Sequence, residues 1–184
     1  MVGLCAIIGL PMNYYTIQVK TRNEEKFIKL FNALHPGNAL GIHFLQRSLN
    51  IRKDGNVKTV LSPIFPGYLF IEIGPEDSID NYYWLLRKTE GFYRFLESNQ
   101  NIIPLTGKDL ETVLHFLKKT GSVAGISRAR FDENSRIIIE EGPLKGLEGK
   151  IIKVDKRKGR AKIKLDIYGN SFAIDLAFEM IRNS

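Results

Sequence analysis

"SPIFPGYLFIEI", residues 62–73, sets two prolines and a glycine ahead of a strand-like run of Tyr, Leu, Phe, Ile, Glu and Ile. Proline fixes φ and offers no backbone donor, while glycine opens turn conformations closed to other residues. The entrance to this strand is therefore rigid as well as aromatic. A buried strand needs neither property at its mouth, so Pro63, Phe65, Pro66 and Tyr68 raise the question of what they hold, and for which partner. Along the run Tyr68 and Phe70 share one parity and project from one face of the strand.

Upstream, "HFLQRSLNIR" and "NVKTVLS" flank "KDG", where the Asp54–Gly55 pair predicts a hairpin turn. Before them "YYTIQVK" alternates with the period of a half-buried strand, and Asn23 stands where a helix N-cap belongs. "EEKFIKLFNAL" then spaces Phe27, Leu30, Phe31 and Leu34 along one helical face. Downstream lie a helical run from Ile79 to Leu86 and the segment "WLLRKTEGFYRFL", whose Trp84 and Phe95 read as core. "TGKDLETVLHFLKKTG" predicts a further helix, with Thr106 and Asp109 as a capping box, Lys118 and Lys119 in the last turn and Gly121 as terminator. Residues 12–120 thus predict an α+β domain, an antiparallel sheet flanked by helices.

Residues 121–133, with two glycines and two serines, read as a linker. From 134 to 184 the pieces "RIIIEEG", "LEGKIIKVD", "RAKIKLDIYG" and "SFAIDLAFEMI" are short strands parted by glycine-bearing turns, which predicts a small bent β-barrel. The apolar start "MVGLCAIIGLP", residues 1–11, is too short to span a bilayer and lacks the features of a secretory signal. It is either a true extension or sequence upstream of a start at Met12.

A chain of 184 residues with 43% hydrophobic residues can bury a sizeable core. Its net charge of +7 favours a polyanionic partner without identifying one. A single cysteine excludes an internal disulfide, and three scattered histidines show no metal-binding spacing, so no cofactor is expected and a cytoplasmic setting is. Neither a glycine-rich phosphate loop nor a nucleophile–base signature is present, which argues against an enzyme.

Three stretches together, Tyr14–Lys20, "PIFPGYLFIEI" and "WLLRKTEGFYRFL", resemble the N-terminal domain of the NusG family of transcription elongation factors. "EEGPLKGLEGKIIKVD", with Gly142, Gly146 and Gly149, resembles the KOW motif that follows in that family, whose domain is a five-stranded SH3-like barrel. The resemblance implies docking on the clamp helices of RNA polymerase through Tyr15, Phe65, Pro66, Tyr68 and Phe70. A surface that receives a helix tip benefits from order installed before binding, which prolines supply. The alternative for each aromatic is a place in the core.

Seven of the twelve residues in "KVDKRKGRAKIK" are basic, and Lys156, Arg157, Lys158, Arg160 and Lys162 cluster at a glycine-bearing turn. They form either a solvated turn or a phosphate-gripping surface for RNA, such as a leader hairpin. Lys20 and Arg22, after the first strand, match the place where specialised relatives such as RfaH meet non-template DNA, although each alone is also an ordinary surface residue. The bulky "GFYRFLESNQNIIPL" and the high charge resemble the LoaP branch of antitermination factors. The implied function is processive antitermination by a monomer that touches no membrane. Alternatives are a general factor coupling polymerase to Rho or to a ribosomal protein, and a KOW-type RNA-binding adaptor of the ribosome. Strand-like alternation throughout the second domain argues against an RfaH-type refolding into helices.

Overall fold

The computed structural model describes residues 12–181 apart from residue 54, so the readings of residues 1–11 and of Asp54 lie outside the described residues. The chain divides into two compact units, one formed by the chain up to His43 with Gly67–Leu105, the other by Phe44–Pro66 with Thr106 onward.

In the first unit, β1 (Asn13–Val19) lies between β5 (Tyr68–Ile73) and β6 (Phe92–Phe95), and β2 (Gly41–His43) pairs with the far edge of β5. All pairings are antiparallel. Ile17 stands opposite Leu69 and Phe95, and Tyr15 opposite Ile71, which places these five buried side chains on one face. Tyr83 of α2 (Asp80–Lys88) stacks on Phe95 at 5.6 Å between ring centres, so α2 covers that face. The apolar stripe of α1 (Glu24–Leu34) turns Phe27 and Phe31 inward, while Leu34 at its end is exposed. Asn23 occupies the N-cap without a side-chain cap bond.

The opposite face pairs Tyr14 with Glu72, Thr16 with Phe70 and Gln18 with Tyr68. Tyr15 therefore does not share the face of Tyr68 and Phe70, although the family resemblance groups all three as docking residues. The register of β1 against β5, which parity along one strand does not reveal, puts Tyr14 there instead.

The turn before β5 is held by a buried carboxyl group. Gly67, with φ of +81°, donates its N–H to Glu24 Oε1 at 2.7 Å and accepts the Val19 N–H at 2.8 Å. A side chain at Gly67 would place Cβ 2.9 Å from Thr21 Oγ1, so both the backbone conformation and the space demand glycine.

In the second unit, β3 (Gln46–Lys53) and β4 (Asn56–Pro63) form the expected hairpin, in register from Gln46–Pro63 to Lys53–Asn56. β3 also pairs in parallel with β7 (Val123–Ala124). A five-stranded sheet follows in the order β10 (Ile151–Asp155), β11 (Arg160–Ile167), β12 (Asn170–Met180), β8 (Ser127–Phe131), β9 (Ile137–Glu141). The fold is α+β with a five-stranded C-terminal β domain, as the sequence implies.

The grouping of the chain differs from the expected division at residue 120. α3 (Gly107–Thr120) belongs with the second unit, where His115 Nε2 lies 2.7 Å from the Pro143 carbonyl oxygen. Asp109 forms no capping box. Its carboxylate instead accepts the Tyr168 N–H at 2.9 Å, at a left-handed residue of the β11–β12 turn. Gly121 ends the helix in the left-handed conformation, as predicted.

Residues 121–133 are also more than a linker, because β8 pairs with β9 and, in parallel, with β12. Its buried side is Ser127 and Ala129, which carry almost no hydropathic signal, while Arg128 and Arg130 turn outward to Glu141 and Glu140. Gly142 explains its place in the motif here. With φ of +96°, it runs so close to β8 that a Cβ would lie 2.6 Å from Ser127 Cα.

Replacing Glu24 by Ala leaves the Gly67 N–H buried without a partner, which costs about 1–3 kcal/mol. Chemical denaturation should register this loss for Glu24→Ala, while Glu24→Gln, which keeps an acceptor oxygen, should retain most of the stability.

Candidate functional site

On the second face of the first sheet, Tyr68 is half-buried and stands opposite Gln18. Gln18 Oε1 accepts a hydrogen bond from Arg94 Nε of β6 at 2.9 Å. Farther along the same face, His43 Nε2 lies 2.8 Å from Glu72 Oε2, and burial together with the Glu72 carboxylate pushes the Tyr14 phenol up to about 12. The expected docking residues separate in this arrangement. Pro66 is exposed and Tyr68 half-buried, whereas Tyr15, Phe65 and Phe70 are 8%, 1% and 0% exposed. Phe65 meets the Phe172 ring edge-on at 5.2 Å, within the second unit. An aromatic with its faces covered adds to a core, so Tyr15, Phe65 and Phe70 do not present their rings to a partner in this conformation.

Lys20 and Arg22 are exposed beside β1, and Arg22 holds a left-handed backbone with φ of +69°. The Lys20 N–H is bonded to the Gly91 carbonyl at 2.9 Å, which ties this corner to β6. Trp84, read from sequence as core, is 59% exposed instead. Tyr82 and Leu86, four apart, set the buried stripe of α2, and Trp84 falls on the opposite side. The Arg87 guanidinium sits 5.5 Å from the centres of both the Tyr83 and Trp84 rings, and the Lys88 ammonium lies 5.9 Å from the indole. The signal for this exposed cluster was the spacing of Tyr82 and Leu86.

The basic cluster of the second unit is a built turn. β10 ends at Asp155, whose Oδ1 accepts the Lys158 N–H at 2.9 Å. That bond, with the charges of Lys158, Arg157 and Lys153, holds the Asp155 carboxyl below its usual range. Lys156, Arg157 and Lys158 are exposed, and the Lys156 ammonium stands 3.8 Å above the Phe131 ring. Arg160 and Lys162 begin β11 and are half-buried. Arg160 turns back to donate from Nη2 to the Asn50 carbonyl of β3 at 3.0 Å, and Lys162 stands opposite Asp175. The five predicted residues are thus brought together, but only the first three project from the tip. Gly159 makes this possible. Its φ is +60°, its carbonyl accepts the Phe178 N–H at 2.8 Å, and a Cβ there would lie 2.6 Å from Phe178 O.

Residues 12–114 match the family model described as transcription termination factor nusG, which is more than half of the chain. The chain belongs to the NusG family. Among curated relatives it is 27% identical to the transcription termination/antitermination protein NusG of Chlamydia trachomatis over 170 residues, covering 88% of this chain and 89% of that one. It is 28% identical to the NusG of Bacillus subtilis over 132 residues, or 70% and 71% of the two chains. With the NusG of Thermus thermophilus the identity is 23% over 156 residues, 83% of this chain and 80% of the other. A solved structure described as "Domain interaction in Thermotoga maritima NusG" shares the fold, with a TM-score of 0.56 at 20% identity over 91% of this chain and 94% of that one. The NusG model spans Tyr68, Trp84 and the β3–β4 hairpin but ends within α3, so the basic turn lies outside it.

Among the described residues of this NusG-family chain, no three His, Cys, Asp or Glu side chains are placed to hold a metal ion. No described helix is long and apolar enough to cross a membrane.

Gly159→Ala should destabilise the chain more than Gly169→Ala. Both glycines have positive φ, which costs an alanine about 1–2 kcal/mol, but a Cβ at Gly169 meets nothing within 4 Å. The clash with Phe178 should add roughly 1–3 kcal/mol, read as a larger fall in the urea midpoint.

Proposed function

We propose that this NusG-family transcription factor promotes processive antitermination, binding RNA polymerase through its first unit and a leader RNA hairpin through the turn Lys156–Arg160. The observation that carries the reading is the construction of that turn. Three exposed cations stand together on a glycine-pinched tip whose turn is closed by the Asp155 carboxylate. Like charges gathered on a preformed surface repel one another until a polyanion arrives, and an A-form RNA backbone supplies that charge at a regular spacing. Resemblance to the LoaP branch points the same way.

For the polymerase contact we assign Tyr68, with the clamp helices as the partner. Lys20 and Arg22 are assigned to non-template DNA. The factor acts as a monomer in the cytoplasm and without catalytic turnover. Coupling to Rho or to a ribosomal protein stands as the alternative role of the second unit.

In transcription with its own purified polymerase, addition of the protein should raise read-through of an intrinsic terminator placed downstream of its native leader. Tyr68→Ala should weaken polymerase binding by about 2 kcal/mol, some thirtyfold, and lose most of the read-through. Unchanged termination by the wild-type protein on that template overturns the antitermination reading.

RNA binding should depend steeply on salt, because each neutralised phosphate releases counterions. Replacing Lys156, Arg157 and Lys158 together by Gln should flatten the slope of log affinity against log salt by about 2 for single-stranded RNA. An unchanged slope would mean that these cations meet only solvent.

A further inference from the structure

Next to the basic turn, and wholly within the second unit, lies a cavity of about 680 Å³, inside the range of roughly 300–1,000 Å³ typical of small-ligand sites. Its apolar side is built from Ile51 and Val57 of the β3–β4 hairpin and from Phe178 and Met180 of β12. Three of these remain open to solvent, with Ile51 41%, Val57 57% and Met180 49% exposed. Its rim is Lys156, Arg157, Lys158 and Arg160, and among the described residues no acidic side chain lines it. Apolar side chains left in water around a concave site, under cations of one sign, call for a ligand with an apolar body and an anionic end.

The rim is ordered in advance. The bond from Arg160 to the Asn50 carbonyl fixes a guanidinium plane at the cavity wall, and Lys156 is held above Phe131. Arg157 and Lys158 are the remaining cations at the mouth. An adjoining hollow of about 130 Å³ shares Lys158 and Arg160 but includes Asp155 and Asp175. Negative charge is therefore favoured at the mouth of the larger cavity, not in the smaller one. A flat base fits against aliphatic side chains and a guanidinium plane, and its phosphate fits the exposed cations Arg157 and Lys158.

We propose that this cavity takes one unstacked nucleotide, its base inward against Ile51, Val57 and Met180 and its phosphate on Arg157 and Lys158. The assignment rests on the RNA reading for one of its two sources, a nucleotide bulged out of a hairpin, the other being a free nucleotide. With the former source, the apolar wall gives the basic turn a means of choosing one RNA over another, which backbone contacts alone lack.

The test uses the full chain and three hairpins of one stem: one with a single bulged 2-aminopurine, one with an abasic bulge and one fully paired. A parallel titration uses GMP. The bulged base should bind about tenfold tighter than the other two, at the low end of what one stacked base contributes, with a change in 2-aminopurine emission. The variant I51S/V57S keeps every cation and alters two exposed positions. It should abolish that preference and leave binding of the paired hairpin unchanged. Equal binding of all three hairpins, with no saturable binding of GMP, overturns the cavity proposal and leaves the RNA reading intact. Failure of every hairpin overturns the RNA reading. In that case saturable GMP binding lost in I51S/V57S supports a free nucleotide as occupant, and its absence overturns the cavity proposal as well.

Discussion

Glu24 opens α1, yet its carboxyl oxygen is committed to the N–H of Gly67, forty-three positions later in the chain. A buried N–H must find an acceptor, and a glycine with positive φ beside Thr21 has no room for a larger residue. The bond therefore decides where β5 begins. Once Gly67 is seated against Val19, the pairing of Tyr68 with Gln18 and of Phe70 with Thr16 follows residue by residue. The rigid entrance Pro63–Gly67 answers first to this requirement. It delivers the chain from the hairpin into the central pair of the sheet with one register, and Tyr68 takes its position as a consequence.

A comparable constraint governs the basic turn. Four cations within five residues repel one another, and the turn offsets part of this through Asp155, whose carboxyl takes the Lys158 N–H, and through the Phe131 ring beneath Lys156. Gly159 lets the chain reverse in contact with Phe178, so the charges sit on a tip that cannot relax by spreading. Water and salt screen what remains, and the Lys158 ammonium stands 4.0 Å from Asp155 Oδ2. Any anion bound there would stabilise the folded turn through the same charges.

Elements whose signal lies within a few residues were legible in the amino-acid sequence alone. The alternation of β1, the stripe of Phe27 and Phe31, the two-residue hairpin, the left-handed Gly121 and the strands after Ile137 each depend on spacing within a few residues. The clustering of Lys156 to Lys162 was legible for the same reason. Tertiary structure decided what depends on a partner far away in the chain. β8 shows no apolar alternation because its buried side is the small pair Ser127 and Ala129, and at Ser127 it leaves room for Gly142 to approach. Tyr14 rather than Tyr15 shares the Phe70 face because register is a property of two strands, not one. Trp84 is outside because Tyr82 and Leu86 won the interior, and Phe65 is covered because Phe172 reaches it. Periodicity reports which side chains of an element lie together, but burial is set by what the opposing element places there, and only the folded chain supplies that.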